Sequence, residues 1–286
     1  MRRNQIESSS FLKDIQAMMI DIDGTLIRGD QALPGMPEFF QFMNNHHIKF
    51  QVASNNATKT IHTYQQKLAA LGADLTIENV LTCSTVTALY LQEHFPNGKV
   101  YMIGQAGLSE ALTDAGIGIV DGFNGKVDAV VVGGDYELTY DKLKYASLHI
   151  QQGAEFIGTN PDLLYPTDEG LVPECGMTLV ALETATEVKP KIMGKPNQFM
   201  FELGMKKMGV KPAGTAMLGD RLETDIEGGQ RAGMKSILVE TGVDNRASTK
   251  SKNIFPDLIV EDLEELVSLW SYHLTQTGDR AENGHD

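Results

Sequence analysis

Short apolar runs alternate along the chain with longer stretches of helical periodicity. The runs fall at 17–21 (AMMID), 48–54 (IKFQVAS), 99–104 (KVYMIG), 128–134 (DAVVVGG), 155–160 (EFIGTN), 215–220 (TAMLGD), 236–241 (SILVET) and 257–262 (DLIVED). Between them, 58–72, 139–153, 197–209 and 263–270 read as helices, several closed by a glycine where a C-cap would place one. Strand-length runs separated by helix-length patterns are the mark of βαβ units, so the pattern predicts an α/β fold around a parallel sheet. At 286 residues the chain is long for one core, and a core with a second, smaller unit is expected. The segment from 273 to 286 has no apolar pattern and is expected to be disordered.

Composition narrows the partners. With 42% hydrophobic and 22% charged residues the chain is ordinary globular material. A formal charge of -14 excludes a surface made for nucleic acid or anionic membrane. No window reaches the roughly 18 apolar residues of a membrane helix, and the first residues lack the apolar stretch of a signal peptide, so a cytoplasmic location is expected. Cys83 and Cys175 are too few for a disulfide framework and lack metal-finger spacing, which makes them reduced structural thiols.

The chemistry gathers where the runs end. In an open parallel sheet, ligands bind outside the carboxyl ends of the strands. Asp21 and Asp23 close the first run, and alternation along an extended chain sends both to one side with Ile22 opposite. Two carboxylates held together call for a cation, a shared proton, or both. Gly24 then lets the backbone turn sharply. Ser54, Asn55 and Asn56 end the second run with a hydroxyl and two amides suited to an oxyanion. Asp220 and Asp225 add carboxylates at a late strand end, and Lys195, immediately before Pro196, is placed at a helix start, where anions are welcome. Carboxylates for a metal with a hydroxyl and a lysine for an anion form an inventory for phosphoryl transfer.

These residues, in this order, resemble the four motifs of the haloacid-dehalogenase superfamily of phosphohydrolases: DIDGT, a serine ending the second strand, a lysine ahead of a helix, and GDRLETD. Further, VVVGGDYELTYDKL and FIGTNPDLLYPTDEGLVPECG resemble the inserted α/β cap of the para-nitrophenyl-phosphatase-like branch (class IIA). The resemblance implies a Rossmann-like core from 1–83 and 185–272 with a cap at 84–184. It implies a Mg²⁺-dependent phosphomonoesterase acting on a small phosphorylated metabolite such as a nucleotide monophosphate, sugar phosphate or phosphoglycolate. Asp21 would be the nucleophile and Asp23 the general acid and base. Mg²⁺ would be held by Asp21, Asp220 and the backbone carbonyl of Asp23, with Asp225 direct or through water. Ser54, Asn55 and Lys195 would bind the phosphoryl oxygens. Asn160, Pro161 and Asp162, which end a cap strand, are the candidates for substrate contact. A homodimer through the cap is compatible with this branch, although no apolar stripe in the sequence marks one.

Rival chemistries lack their motifs. No G-x-x-x-x-G-K-[ST], G-x-S-x-G, H-E-x-x-H or G-x-G-x-x-G after a strand occurs. Two alternatives share the same core residues: a phosphotransferase that passes the phosphoryl group to an alcohol, and a non-catalytic sensor of phosphorylated metabolites. His46 and His47 have no third ligand at useful spacing and read as solvated loop residues, while Met193, Met200, Met205 and Met208 read as core filler.

Overall fold

A computed structural model of the chain describes residues 3–167 and 169–282. The chain folds as two compact units, one formed by Met1–Ala53, Gln65–Val80 and Phe201–Asp286, the other by Ser54–Tyr64 and Leu81–Met200.

The first unit is built on a six-stranded sheet in the order Leu258–Val260, Lys235–Val239, Thr215–Gly219, Ala17–Ile20, Lys49–Ser54, Val80–Thr82. Every pairing from Leu258–Val260 across to Lys49–Ser54 is parallel. It is the Rossmann-like α/β core that the alternation of runs predicts. The strands Ala17–Ile20 and Thr215–Gly219 are buried at every position, which is why they read as unbroken apolar runs rather than as alternating ones. Helix Met36–Asn45 packs against helix Leu263–Glu282 through Phe42 and Trp270, whose rings lie 5.4 Å apart.

That last helix corrects the expectation of a disordered tail from 273. It runs to Glu282, and of this tail 283–286 lie outside the described residues. Leu263, Leu266, Leu269 and Trp270 are fully buried, and His273 Nε2 lies 2.9 Å from Ser9 Oγ. Once these residues anchor the first turns, each added residue costs little, so polar sequence continues the helix.

The second unit has its own sheet, five strands in the order Lys191–Ile192, Glu155–Gly158, Ala129–Val132, Lys99–Ile103, Gly118–Val120, all parallel. Its helices include Cys83–His94, Ala106–Asp114, Tyr140–Gln151 and Cys175–Thr186. Ile103, Val130, Val132, Phe156 and Leu179 belong to its apolar core. The unit is wider than 84–184, because Lys191–Ile192 pairs with Glu155–Gly158 and draws the following turn into the same sheet edge. The periodicity missed the short strands Val80–Thr82, Gly118–Val120 and Lys191–Ile192, which have two or three residues and offer no pattern to read. All four methionines, Met193, Met200, Met205 and Met208, are buried, and His46 and His47 are exposed.

Candidate active site

Strand register explains why distant aspartates meet. Ile20 is level with Leu218, and Asp21 N–H continues the ladder onto Leu218 O (2.9 Å), so Asp21 and Asp220 leave adjacent strands at the carboxyl edge of the first unit's sheet. Just beyond Asp220 the chain makes one wide π-type turn, Leu222–Ile226, which carries Asp225 back to the same place. Asp21, Asp220 and Asp225 are all buried, and each offers a carboxylate oxygen such that the three lie within 4.8 Å of one another.

The backbone around them is arranged for carboxylates. Val243 N–H donates to Asp220 Oδ2 (2.8 Å), Arg221 N–H to Asp225 Oδ2 (3.1 Å), and Asp244 N–H to Asp220 O (3.0 Å). Gly24 and Gly242 pass so close to Asp220 that a Cβ on either would strike its carboxylate, and a Cβ on Gly219 would strike that of Asp225. Gly24 also needs its glycine for conformation, with φ at +94°. Asp244 is buried, accepts from Leu222 N–H (2.9 Å) and pairs with Lys252 (2.9 Å), which fixes the start of the turn carrying Asp225. Three clustered carboxylates repel unless they share a cation or a proton. A donor set made only of oxygens suits a hard divalent ion.

Asp23 is half-buried and its carboxylate is outside this trio. It opens a tight loop in which Leu26 N–H donates to Ile22 O (2.9 Å) and Gly24 N–H to Ile27 O (2.8 Å). Thr241 Oγ1 latches the loop by donating to Gly24 O (2.7 Å), and Arg28 donates to Thr241 O.

Within the second unit a polar cluster forms around Lys195, which is only 1% exposed. Asn55 holds it by the backbone: Lys195 N–H donates to Asn55 Oδ1 (2.8 Å) and Asn55 Nδ2 donates to Lys195 O (2.9 Å). Asn55 Nδ2 also reaches Asp162 Oδ2 (3.3 Å), and its carbonyl accepts from Asn160 Nδ2 (2.7 Å) and Cys83 Sγ (2.9 Å). Gly194 is obligatory here, because a Cβ would come within 2.6 Å of both Asn55 Oδ1 and Thr159 O. Ser54 is buried, its Oγ 3.3 Å from Tyr64 OH and accepting from Asn56 N–H (3.1 Å). Asn160 Oδ1 accepts from Asp162 N–H (2.9 Å), and the carbonyls of Pro161 and Asp162 pack on Gly176. Pro196 does not begin the following helix. It closes a turn in which Asn197 N–H donates to Gly194 O (2.9 Å), and Asn197 Oδ1 then accepts from Phe199 N–H (2.9 Å) to cap helix Gln198–Met208.

Two family models match the chain: haloacid dehalogenase-like hydrolase over residues 18–118 and HAD-hydrolase-like over residues 192–266. The acid sugar phosphatase of Staphylococcus epidermidis is 37% identical over 257 residues, covering 90% of this chain and 98% of that protein. The chain belongs to the haloacid dehalogenase-like hydrolases. Among solved structures, a hypothetical protein from Pyrococcus horikoshii OT3 is 40% identical with a TM-score of 0.83, covering 89% of this chain and 99% of its own. The 4-nitrophenylphosphatase of Thermotoga maritima is 33% identical with a TM-score of 0.85, covering 90% and 98%. The chain is therefore a HAD-family phosphatase of the para-nitrophenyl-phosphatase-like branch, as its motifs imply.

Sequence reasoning missed what supports these motifs. The amide of Val243, the carboxylate of Asp244 and the hydroxyl of Thr241 lie on a loop with no motif of its own. Glu174 was missed as well, an acid whose carboxyl is lifted to about 7, chiefly by burial. Burial likewise pushes the Cys175 thiol up to about 12 and raises that of Cys83, so both thiols are inert.

Proposed function

We propose that this phosphatase hydrolyses small phosphorylated metabolites, sugar phosphates among them, through an aspartyl-phosphate on Asp21 with Mg²⁺ as cofactor. The observation that carries the reading is the buried trio Asp21, Asp220 and Asp225 at one strand edge. The names of the relatives, acid sugar phosphatase and 4-nitrophenylphosphatase, support a small substrate.

In this reading one Asp21 carboxylate oxygen attacks phosphorus and the bond to the leaving alcohol breaks. Asp23 gives its proton to the departing oxygen, then takes one from the water that opens the acyl phosphate, returning free Asp21 and inorganic phosphate. Lys195, its backbone fixed by Asn55, and the Ser54 hydroxyl hold the phosphoryl oxygens. Asp21, Asp220, Asp225 and the backbone carbonyl of Asp23 would hold the ion, and when bound it would supply charge neutralisation for the transferring group. We further propose that 84–184 acts as a cap that excludes water during the first step. Buried, free Cys83 and Cys175 suit a reducing cytoplasm.

The test is phosphate release from nucleotide, sugar and small-acid phosphates, with Mg²⁺ or with chelator, by the wild type and Asp21→Asn. Turnover that needs the metal and fails in Asp21→Asn is expected. Turnover indifferent to chelator would overturn the reading, as would phosphate passing mainly to an added alcohol, which would make the chain a phosphotransferase.

A further inference from the structure

At the carboxyl edge of the second unit's sheet, Glu174 is an acidic side chain that phosphoryl transfer leaves unused. Register sets Val132, Gly158 and Ile192 level on three neighbouring strands. Gly134, Asn160 and Gly194 therefore leave the sheet side by side, with Lys195 one residue further, at the edge where parallel sheets take their ligands.

Glu174, which precedes helix Cys175–Thr186, is laid onto that edge. Its carboxyl packs on the α-carbon of Gly134, where a Cβ would meet Oε1 and stand 3.0 Å from Oε2. The backbone of Glu174 is satisfied, its N–H donating to Leu163 O (3.0 Å) and its carbonyl accepting from Met177 N–H (3.0 Å). The side chain is satisfied only in part. Glu174 is 7% exposed, and its Oε2 has no hydrogen-bond partner among the described residues. A buried acceptor with no donor is costly and asks for one.

The groups around it say which donor. The titratable groups coupled to Glu174 are Asp162, on the loop after Glu155–Gly158, Cys175 on its own helix and Cys83 on helix Cys83–His94, none of them cationic. Burial first, with Asp162 adding to it against the opposing Cys175 N–H, lifts the carboxyl to about 7. A carboxyl that changes form near neutrality can accept from a hydroxyl when charged and donate to it when neutral, and a hydroxyl has both a proton and lone pairs to match.

We propose that Glu174 is a specificity-determining residue whose Oε2 takes a hydrogen bond from a hydroxyl of the substrate's alcohol portion, so that the enzyme prefers polyol phosphates. The inference rests on the phosphatase reading and extends it from the reaction to the alcohol. A site built around an unmet polar group rejects analogues that leave it unmet.

The experiment compares kcat/KM for ribose 5-phosphate with that for p-nitrophenyl phosphate, whose alcohol portion has no hydroxyl to donate, in the wild type, Glu174→Leu, Glu174→Gln and Gly134→Ala. Gly134→Ala reaches the same carboxyl from the other side and needs no change at 174. The ribose-to-nitrophenyl ratio is expected to fall at least tenfold in Glu174→Leu and in Gly134→Ala, through KM, and to stay within about threefold of wild type in Glu174→Gln, whose amide oxygen still accepts. The ratio should also rise between about pH 6 and 8 in the wild type, as the carboxyl loses its proton and becomes the stronger acceptor, and be flat in Glu174→Gln. An unchanged ratio in Glu174→Leu and Gly134→Ala, with turnover of both esters retained, overturns the inference and leaves the phosphatase reading standing. Wild-type protein that turns over neither ester breaks the phosphatase reading. Calorimetric binding of ribose 5-phosphate to Asp21→Asn then decides the role of Glu174 without turnover: weakening of tenfold or more on adding Glu174→Leu supports it, and equal affinity overturns it.

Discussion

The aspartates of the first unit and the polar groups around Lys195 in the second are assembled by different means. In the first unit, Asp21 and Asp220 stand at the ends of fully buried neighbouring strands, and sheet register alone brings them together. Around Lys195 in the second unit, register brings backbone together, and a reciprocal amide pair with Asn55, 140 residues away, fixes the lysine-bearing turn. Charge drawn from a rigid sheet edge is held by the fold. Charge carried on a turn depends in addition on the hydrogen bonds that fix the turn. The carboxylates should govern metal affinity, and the lysine cluster should govern phosphate affinity with metal affinity intact.

The sharpest way to break that contrast is Asp220→Asn. It should weaken Mg²⁺ binding by roughly 100-fold or more, beyond what outer-sphere partners contribute, and calorimetry on the purified variant checks it. Lys195→Ala should lower kcat by about 10²–10³ while Mg²⁺ affinity stays near wild type. Equal loss of metal affinity in both variants would erase the distinction. Asn55→Ala should cost less, on the order of tenfold in kcat/KM, because it loosens the turn that carries the lysine without removing the charge. Asn55→Asp keeps the acceptor for Lys195 N–H but loses the donor, and should fall between the two.

The smallest effect concerns stability. Glu174 has its folded-state carboxyl raised from 4.5 to about 7, so the folded protein binds that proton more tightly than the unfolded chain does. Its contribution is fully present below about pH 4.5 and is lost as pH rises toward 7. Glu174→Gln should therefore gain about 2 kcal/mol over wild type at pH 8 relative to pH 5. Denaturant melts at the two pH values measure this, and a gap that does not widen with pH would show that the carboxyl titrates normally.

The sequence made the first unit's carboxylate cluster legible and much of the second unit's polar cluster invisible, for a physical reason. Asp21, Asp220 and Asp225 follow apolar runs, so the rule that ligands sit at strand ends found them. Lys195 was singled out by the proline after it, read as a helix start, and its surroundings were misread. Asn55 was assigned to the phosphoryl oxygens, whereas its side-chain amide is engaged with the backbone of Lys195 and with Asp162. Pro196 was read as opening a helix that in fact starts at Gln198. Contacts between an amide at 55 and a peptide at 195 leave no periodicity behind. Glu174 was silent because neither pattern nor motif distinguishes a buried acid with an unmet oxygen from an exposed one. The helix beyond residue 273 was missed because anchoring by Trp270 and His273 is a tertiary effect.

The account stands on Asp21 taking the phosphoryl group, and the direct measurement is to catch it there. Enzyme turning over p-nitrophenyl phosphate with Mg²⁺ is quenched within one turnover and reduced with borohydride, which converts an acyl phosphate of aspartate to homoserine, and the peptide spanning residue 21 is read by mass spectrometry. The account predicts homoserine at position 21, dependent on substrate and metal and lost in Asp21→Asn along with turnover. Full turnover with an unmodified Asp21, or with the modification on another carboxylate, would contradict it.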